Sequence, residues 1–154
     1  MLIADWVPIF ARATMAKKIL KTLGGDEYDF LLFGIVSQHR EYRICHFLNQ
    51  KLGISLVRDP DYEIMKPQNR QTLAFAQYRF APEDQARYFF FSNKTTGGFL
   101  VPELKNIDYF LLIKDYHNRI DPDQLLAEIK SIPLVLGSYS LEPVGLRARE
   151  NLVF

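Results

Sequence analysis

One cysteine, one tryptophan and no apolar run approaching the roughly 20 residues that cross a bilayer remove several classes of protein from this 154-residue chain. A lone Cys45 provides neither an intrachain disulfide framework nor a cysteine-rich zinc site, and it fits a reducing cytoplasm. Charge of one sign is missing too. Nineteen Lys and Arg against eighteen Asp and Glu leave a net charge of +1, so no strong field draws nucleic acid or an anionic membrane. Motifs that carry common chemistries are also absent: no Gly-x-x-x-x-Gly-Lys-Ser/Thr loop, no Gly-x-Gly-x-x-Gly turn, no His-Glu-x-x-His and no Gly-x-Ser-x-Gly. Nucleotide hydrolysis, dinucleotide redox chemistry, zincin proteolysis and serine hydrolysis therefore lose their usual warrants. No catalytic residue, metal or cofactor is assigned, and the expected location is cytoplasmic without membrane association.

What is present is ordinary globular material. With 48% hydrophobic and 24% charged residues the chain can bury a core as one domain. Residues 1–14 lack the basic start, apolar middle and small-residue cleavage site of a secretory signal. Met15-Ala16-Lys17-Lys18 reads like a natural beginning, so residues 1–14 are expected to be an N-terminal extension, either a start-site artefact or a disordered arm, ahead of a single domain at 15–154. Leu2, Ile3, Trp6, Phe10 and Ala13 fall at helical spacing and offer a docked amphipathic helix instead, although Pro8 weakens it.

Along the rest of the chain, residues 17–22 read as a short strand and Gly24-Gly25-Asp26 as a turn. Residues 30–36 form a continuous apolar run, taken as a buried strand. Ser37 is expected to cap the helix that follows, with Ile44, Cys45, Leu48 and Leu52 on its apolar face and Gly53 as its stop. Residues 54–57 resume an extended pattern up to Asp59-Pro60-Asp61, and the segment to Asn69 reads as a polar loop. Residues 72–80 and 87–92 make an aromatic hairpin around Ala81-Pro82-Glu83-Asp84-Gln85. Residues 107–113 are apolar on both faces, as in an inner strand. Asp121-Pro122-Asp123-Gln124 is a strong helix start, Leu125, Leu126, Ile129 and Ile132 give the buried face, and Pro133 blocks continuation. A last strand at 134–141 and a tail at 143–154 complete the chain. The expected fold is α+β: a single mostly antiparallel or mixed sheet of five or six strands with two principal helices. The connection through the Asp121 helix is long enough to permit parallel pairing of its flanking strands.

Candidate sites are few. His39 and His46, two helical turns apart, would sit about 10 Å from one another and do not readily share a metal. Asp115 could orient the His117 ring if both lay on one strand face, though an exposed strand-end pair is the simpler reading. Cys45 on an apolar helix face is expected to behave as a small buried hydrophobe. Gly24-Gly25 and Gly97-Gly98 read as tight turns rather than phosphate cradles. Tyr78, Phe80, Tyr88, Phe89, Phe90 and Phe91, with Arg79, Arg87 and Lys94 nearby, suggest a stacking platform for single-stranded nucleic acid. Core packing explains the same pattern more simply, so nucleic acid is a disfavoured partner.

The remaining stretch is Val101-Pro102-Glu103-Leu104-Lys105-Asn106-Ile107-Asp108-Tyr109. Pro102 cannot donate to a ladder and turns the chain. Glu103 would then accept backbone donors in that turn or pair with Lys94 or Lys105. Asp108, between apolar neighbours, must be exposed at a strand end or hydrogen-bonded. The functional reading is that Glu103 and Asp108 converge with Tyr109 on a cleft to bind a ligand or move a proton. Pro102, Glu103, Asp108 and Tyr109 are the candidate motif or site residues, with structure favoured over catalysis.

This stretch resembles the motif Ile-Pro-Glu-x-x-x-Val-Asp-Tyr of the IPExxxVDY family, a bacterial family found mainly in Bacteroidetes and without an assigned activity. Val101 and Ile107 replace the family's Ile and Val conservatively. The resemblance extends to Tyr42-Arg43-Ile44 with Asn49 and to Asn151-Leu152-Val153-Phe154, so it covers residues 15–154. It implies a bacterial source and no particular reaction. The expected function is therefore that of a soluble protein without catalytic activity acting through protein contacts, as an adaptor or homodimer. The alternative is a small-ligand-binding protein or enzyme using Glu103, Asp108 and Tyr109.

Overall fold

A computed structural model describes residues 29–152 and residue 154. The expectations for residues 1–14, 17–22 and 24–26 lie outside the described residues, as does Val153.

The apolar run after Asp29 forms β1 (Leu31–Val36), buried on both sides as its composition requires. Helix α1 (Glu41–Leu52) follows, with Ile44, Cys45 and Leu48 inward. It ends where Gly53 takes the left-handed conformation (φ 66°) and donates its N–H to the Asn49 carbonyl, the role for which glycine costs least. Ser37 does not cap this helix. Arg40 occupies the N-cap position without a side-chain cap, and the Ser37 hydroxyl instead donates to the Leu134 carbonyl (2.7 Å) and accepts from the His39 amide (3.1 Å). The chain leaves β1 through a short bend before it can wind, which puts Ser37 too early to cap.

Next come β2 (Val57–Met65), β3 (Thr72–Phe80), β4 (Arg87–Ser92), a two-strand hairpin β5 (Lys94–Thr95) and β6 (Gly98–Phe99), then β7 (Tyr109–Lys114), α2 (Pro122–Lys130) and β8 (Gly137–Leu141). Strand β2 replaces the polar loop expected after Asp59. Its register slips between Asp59 and Tyr62, where Pro60 falls, and it pairs only with β3. A bulged edge strand tolerates both proline and a solvated outer side, so neither feature argued against it as strongly as the sequence suggested. Helix α2 starts as its sequence demands: Pro122 holds the first position and the Asp121 carboxylate accepts the Asp123 amide at 3.1 Å.

Six strands form one sheet in the order β2-β3-β4-β7-β1-β8, every neighbouring pair antiparallel, and β5-β6 stand apart. The fold is α+β, with two α-helices among the described residues. β7 and β8 run the same way, joined by the α2 crossover, but β1 lies between them, so the permitted parallel pair does not form. No helix among the described residues is long and apolar enough to cross a membrane.

Alternation along the strands divides the core in two. On one face Phe33, Ile35, Tyr78, Phe90, Tyr109, Leu111 and Ile113 meet Ile44, Cys45 and Leu48 of α1 and Leu125 and Ile129 of α2. On the other, Leu32, Leu73, Phe75, Phe89, Phe91, Phe110 and Leu112 are covered by Leu100, Val101, Ile107 and Leu152, with Leu104, Leu146 and Phe154 at the margin. Gly34 faces this second layer. A Cβ there would stand 3.0 Å from Ile107 Cδ1 and 3.1 Å from Leu141 Cδ1, so its lack of a side chain admits the covering segment.

Candidate functional site

Within residues 93–108, which connect β4 to β7, only the short β5–β6 pair forms a ladder, so the other backbone groups need other partners. Asn93 supplies most of them. It is fully buried, donates its amide nitrogen to the carbonyls of Leu104 and Ile107 (both 2.9 Å), and accepts the Val101 amide at 2.8 Å. Its own N–H and C=O bond to the Asp108 carbonyl and the Leu100 amide. Nothing in the sequence around Ser92-Asn93-Lys94 singled this residue out, because all three side-chain bonds reach residues that follow by eight to fourteen positions.

Pro102 opens a single 3₁₀ turn, Pro102–Leu104, and Glu103 projects from it. The carboxylate takes two successive backbone amides of the tail, Arg147 N–H at 2.7 Å and Ala148 N–H at 2.8 Å. Its partners are thus backbone donors, as the structural reading expected, but in the C-terminal tail rather than in its own turn, and neither Lys94 nor Lys105 pairs with it. Asn151 reinforces the attachment by donating to the Leu100 carbonyl (2.8 Å), while its own carbonyl accepts from the Tyr62 hydroxyl (2.7 Å). The Phe154 ring then stacks on Tyr62 and Phe91, with centroids 4.5 and 4.7 Å away.

Asp108 lies just before β7 and faces a different part of the molecule. One carboxylate oxygen accepts the Ser37 amide at 2.9 Å and the other pairs with the Lys94 ammonium at 2.6 Å. Its backbone N–H donates to the Ile35 carbonyl. Tyr109 points to the helix side of the sheet and its hydroxyl donates to the His39 carbonyl at 2.5 Å. Burial first, then Glu41 and Asp108, push the Tyr109 phenol up to about 12, so it stays protonated and serves as a donor. Asp108 and Tyr109 therefore fasten the β1–α1 connection, whereas Glu103 fastens the tail. The structure brings Asp108 and Tyr109 together and does not bring Glu103 to them.

Where β1 hands over to α1, an open cleft of about 600 Å³ is bounded by Val36, Ser37, Gln38, His39, Arg40 and Leu136 together with Lys94, Asn106, Asp108 and Tyr109. Of the candidate site residues it includes Asp108 and Tyr109 and leaves out Pro102 and Glu103. The Lys94–Asp108 pair is partly exposed, so by itself it adds little stability.

The other candidates find structural places. Cys45 is buried, its thiol beside the Leu56 carbonyl and pushed up to about 11 by burial, which keeps it a poor nucleophile at neutral pH. Asn49 exchanges two bonds with the backbone of Leu56, fixing the α1 exit. β7 stops at Lys114, so Asp115 and His117 share no strand face. The Asp115 carboxylate accepts the Ile120 amide at 2.9 Å, closing a turn. His39 precedes α1 and meets Arg43, and His46 lies on the helix. Among the described residues no group of three or more His, Cys, Asp or Glu side chains is placed to hold a metal ion. In the aromatic hairpin Tyr78, Phe89, Phe90 and Phe91 are buried, divided between the two cores.

Compared with known protein families and with curated protein sequences, the chain matches none.

Proposed function

We propose that this chain acts through protein contacts, as a homodimer joined edge to edge through β8, and that the Pro-Glu and Asp-Tyr steps are the fasteners of its fold. The observation that carries this reading is the inequality of the two sheet edges. β2 bears Pro60, a bulge and the charges of Arg58, Asp59, Asp61 and Glu63, devices that discourage strand addition. β8 is Gly-Ser-Tyr-Ser-Leu, without charge or proline, and among the described residues it pairs with β1 alone. Tyr139, its central residue, is 51% exposed.

A second copy is the occupant that such an edge suits. Antiparallel addition about a twofold axis sets Tyr139 against Tyr139 at the centre, an aromatic cross-strand pair in an isologous contact. A five-residue strand covers less than the roughly 1,600 Å² of a standard interface, so the dimer forms with a Kd on the order of micromolar. Membership of the IPExxxVDY family and a cytoplasmic location belong to the same proposal, supported by the Val101 to Tyr109 motif and the single buried cysteine.

Sedimentation velocity across a concentration series tests it. The expected result is a monomer–dimer equilibrium that Tyr139→Lys abolishes while the circular dichroism of the monomer is unchanged. A wild-type chain that stays monomeric at several hundred micromolar, or a dimer indifferent to Tyr139→Lys, overturns the β8 contact.

A further inference from the structure

We infer that the cleft at the β1–α1 junction is a binding site for the oxyanion group, carboxylate or phosphate, of a small organic molecule. Two cations from separate elements line it: Arg40 at the N-cap position of α1, and Lys94 on β5. The Arg40 side chain is exposed and makes no hydrogen bond or ion pair among the described residues, so none of its five donors is committed there. Lys94 is oriented by Asp108, and Asp108 is itself held by the Ser37 amide, so the ammonium is positioned and among the described residues only one of its three donors is engaged.

The side-chain amides of Gln38 and Asn106 likewise have no partners among the described residues and add neutral donors to the rim. Two cations against the one carboxylate of Asp108 leave the lining one charge positive, which favours an anion and opposes a metal cation. A planar guanidinium and an ammonium lining one cleft are donors that carboxylate and phosphate oxygens take up as charge-assisted hydrogen bonds. At about 600 Å³ the cleft exceeds a bare inorganic ion and falls in the range of small-molecule sites. Val36 and Leu136, the latter 68% exposed, give the organic body an apolar wall. This site is independent of the β8 contact proposed above.

The test is a nuclear magnetic resonance titration of the full chain at constant ionic strength and at a concentration where it is monomeric. The probes are benzoate and phenyl phosphate, with acetate and inorganic phosphate as counterparts lacking the apolar body. Saturable shifts confined to the amides of Ser37, Gln38, His39, Arg40, Lys94 and Asp108 are expected, tighter for the aromatic probes than for their small counterparts. Arg40→Ala and Lys94→Ala should each weaken binding about tenfold, while Arg79→Ala on β3, a cation outside the cleft, leaves it unchanged. Because the Arg40 side chain makes no hydrogen bond or ion pair among the described residues, its variant keeps the test decisive even if Lys94→Ala is destabilised. Shifts that grow linearly without saturating, or equal weakening by Arg79→Ala, would overturn the site. A preference for benzoate or for phenyl phosphate upholds it and names the ligand class.

Discussion

The two faces of the sheet are covered by different kinds of structure, and the polar residues follow that difference. On one face α1 and α2 satisfy their own backbone groups and need only apolar side chains to seal the core. On the other, segments at 93–108 and 142–152, with residue 154, lie over Phe75, Phe91, Phe110 and Leu112. Apart from the β5–β6 pair their amides and carbonyls have no ladder, and buried backbone groups do not go unpaired. Asn93, Glu103, Asn151 and Tyr62 supply the missing partners. Pro102, Glu103 and Asp108 therefore lie outside the strands and α-helices, whereas Tyr109 opens β7.

The strongest way to break this comparison is at Asn93. Asn93→Ala leaves the Val101 amide and the Ile107 carbonyl without their buried partner, while the Leu104 carbonyl keeps the Ile107 N–H, and an unsatisfied buried group costs about 1–3 kcal/mol. Even with partial relief by water, urea denaturation should show a loss of about 3–5 kcal/mol, far above that of any polar substitution on the exposed face of α1. A loss under 1 kcal/mol would mean that the covering segment does not depend on this residue. Phe154→Ala comes next. Removing a half-buried ring stacked on Tyr62 and Phe91 should cost about 2–3 kcal/mol, below the value for a fully buried phenylalanine.

Alkaline pH acts on the two faces with opposite sign. Under the helices, Cys45 and Tyr109 are raised by burial to about 11 and about 12. The folded chain holds these protons more tightly than the unfolded chain, which ionises first as pH passes the ordinary values of 9.0 and 10.0. Their contribution is complete below about pH 9 and is lost between 9 and 12, roughly 2–3 kcal/mol for the thiol. Cys45→Ala should flatten the first part of that decline in denaturation curves measured at successive pH values. Lys114 on the tail face, beside the Phe89 ring, is shifted down by burial and by Arg87. The unfolded chain holds this proton more tightly, so its effect is a smaller gain in stability as pH rises toward 10.5.

The helix face was the more legible of the two in the sequence. Ile44, Cys45, Leu48, Leu125 and Ile129 announce themselves by 3.6-residue spacing, and Gly53 and Asp121-Pro122 mark ends whose physics is local. The aromatic hairpin was equally plain, because alternation and a polar turn are read within twenty residues. The two motif carboxylates depend on contacts that no local pattern contains. Glu103 meets amides 44 and 45 residues later, and Asp108 meets one 71 residues earlier. From spacing alone, two carboxylates five residues apart looked able to converge, but the 3₁₀ turn at Pro102 aims the first at the tail while β7 carries the second to the β1–α1 junction. Strand β2 escaped notice because an edge strand need not look apolar.

The smallest effect is also the one that separates the faces most cleanly. Glu103→Gln keeps the size of the side chain but replaces one charged acceptor oxygen with an amide nitrogen that cannot accept an N–H. One of the two tail bonds is lost and the other loses its charge assistance, which together should cost about 1–2 kcal/mol. Because those bonds hold the tail and not the helices, the loss should surface as local opening. Hydrogen exchange at Arg147, Ala148 and Leu152 should quicken roughly tenfold or more, while the amides of Leu48 in α1 and Ile129 in α2 slow or quicken only with global stability. Asp108→Asn should show the complementary pattern, with faster exchange at Ser37 and an undisturbed tail. If either substitution instead speeds exchange equally across both faces, Glu103 and Asp108 fasten a single cooperative unit and the division between the faces fails.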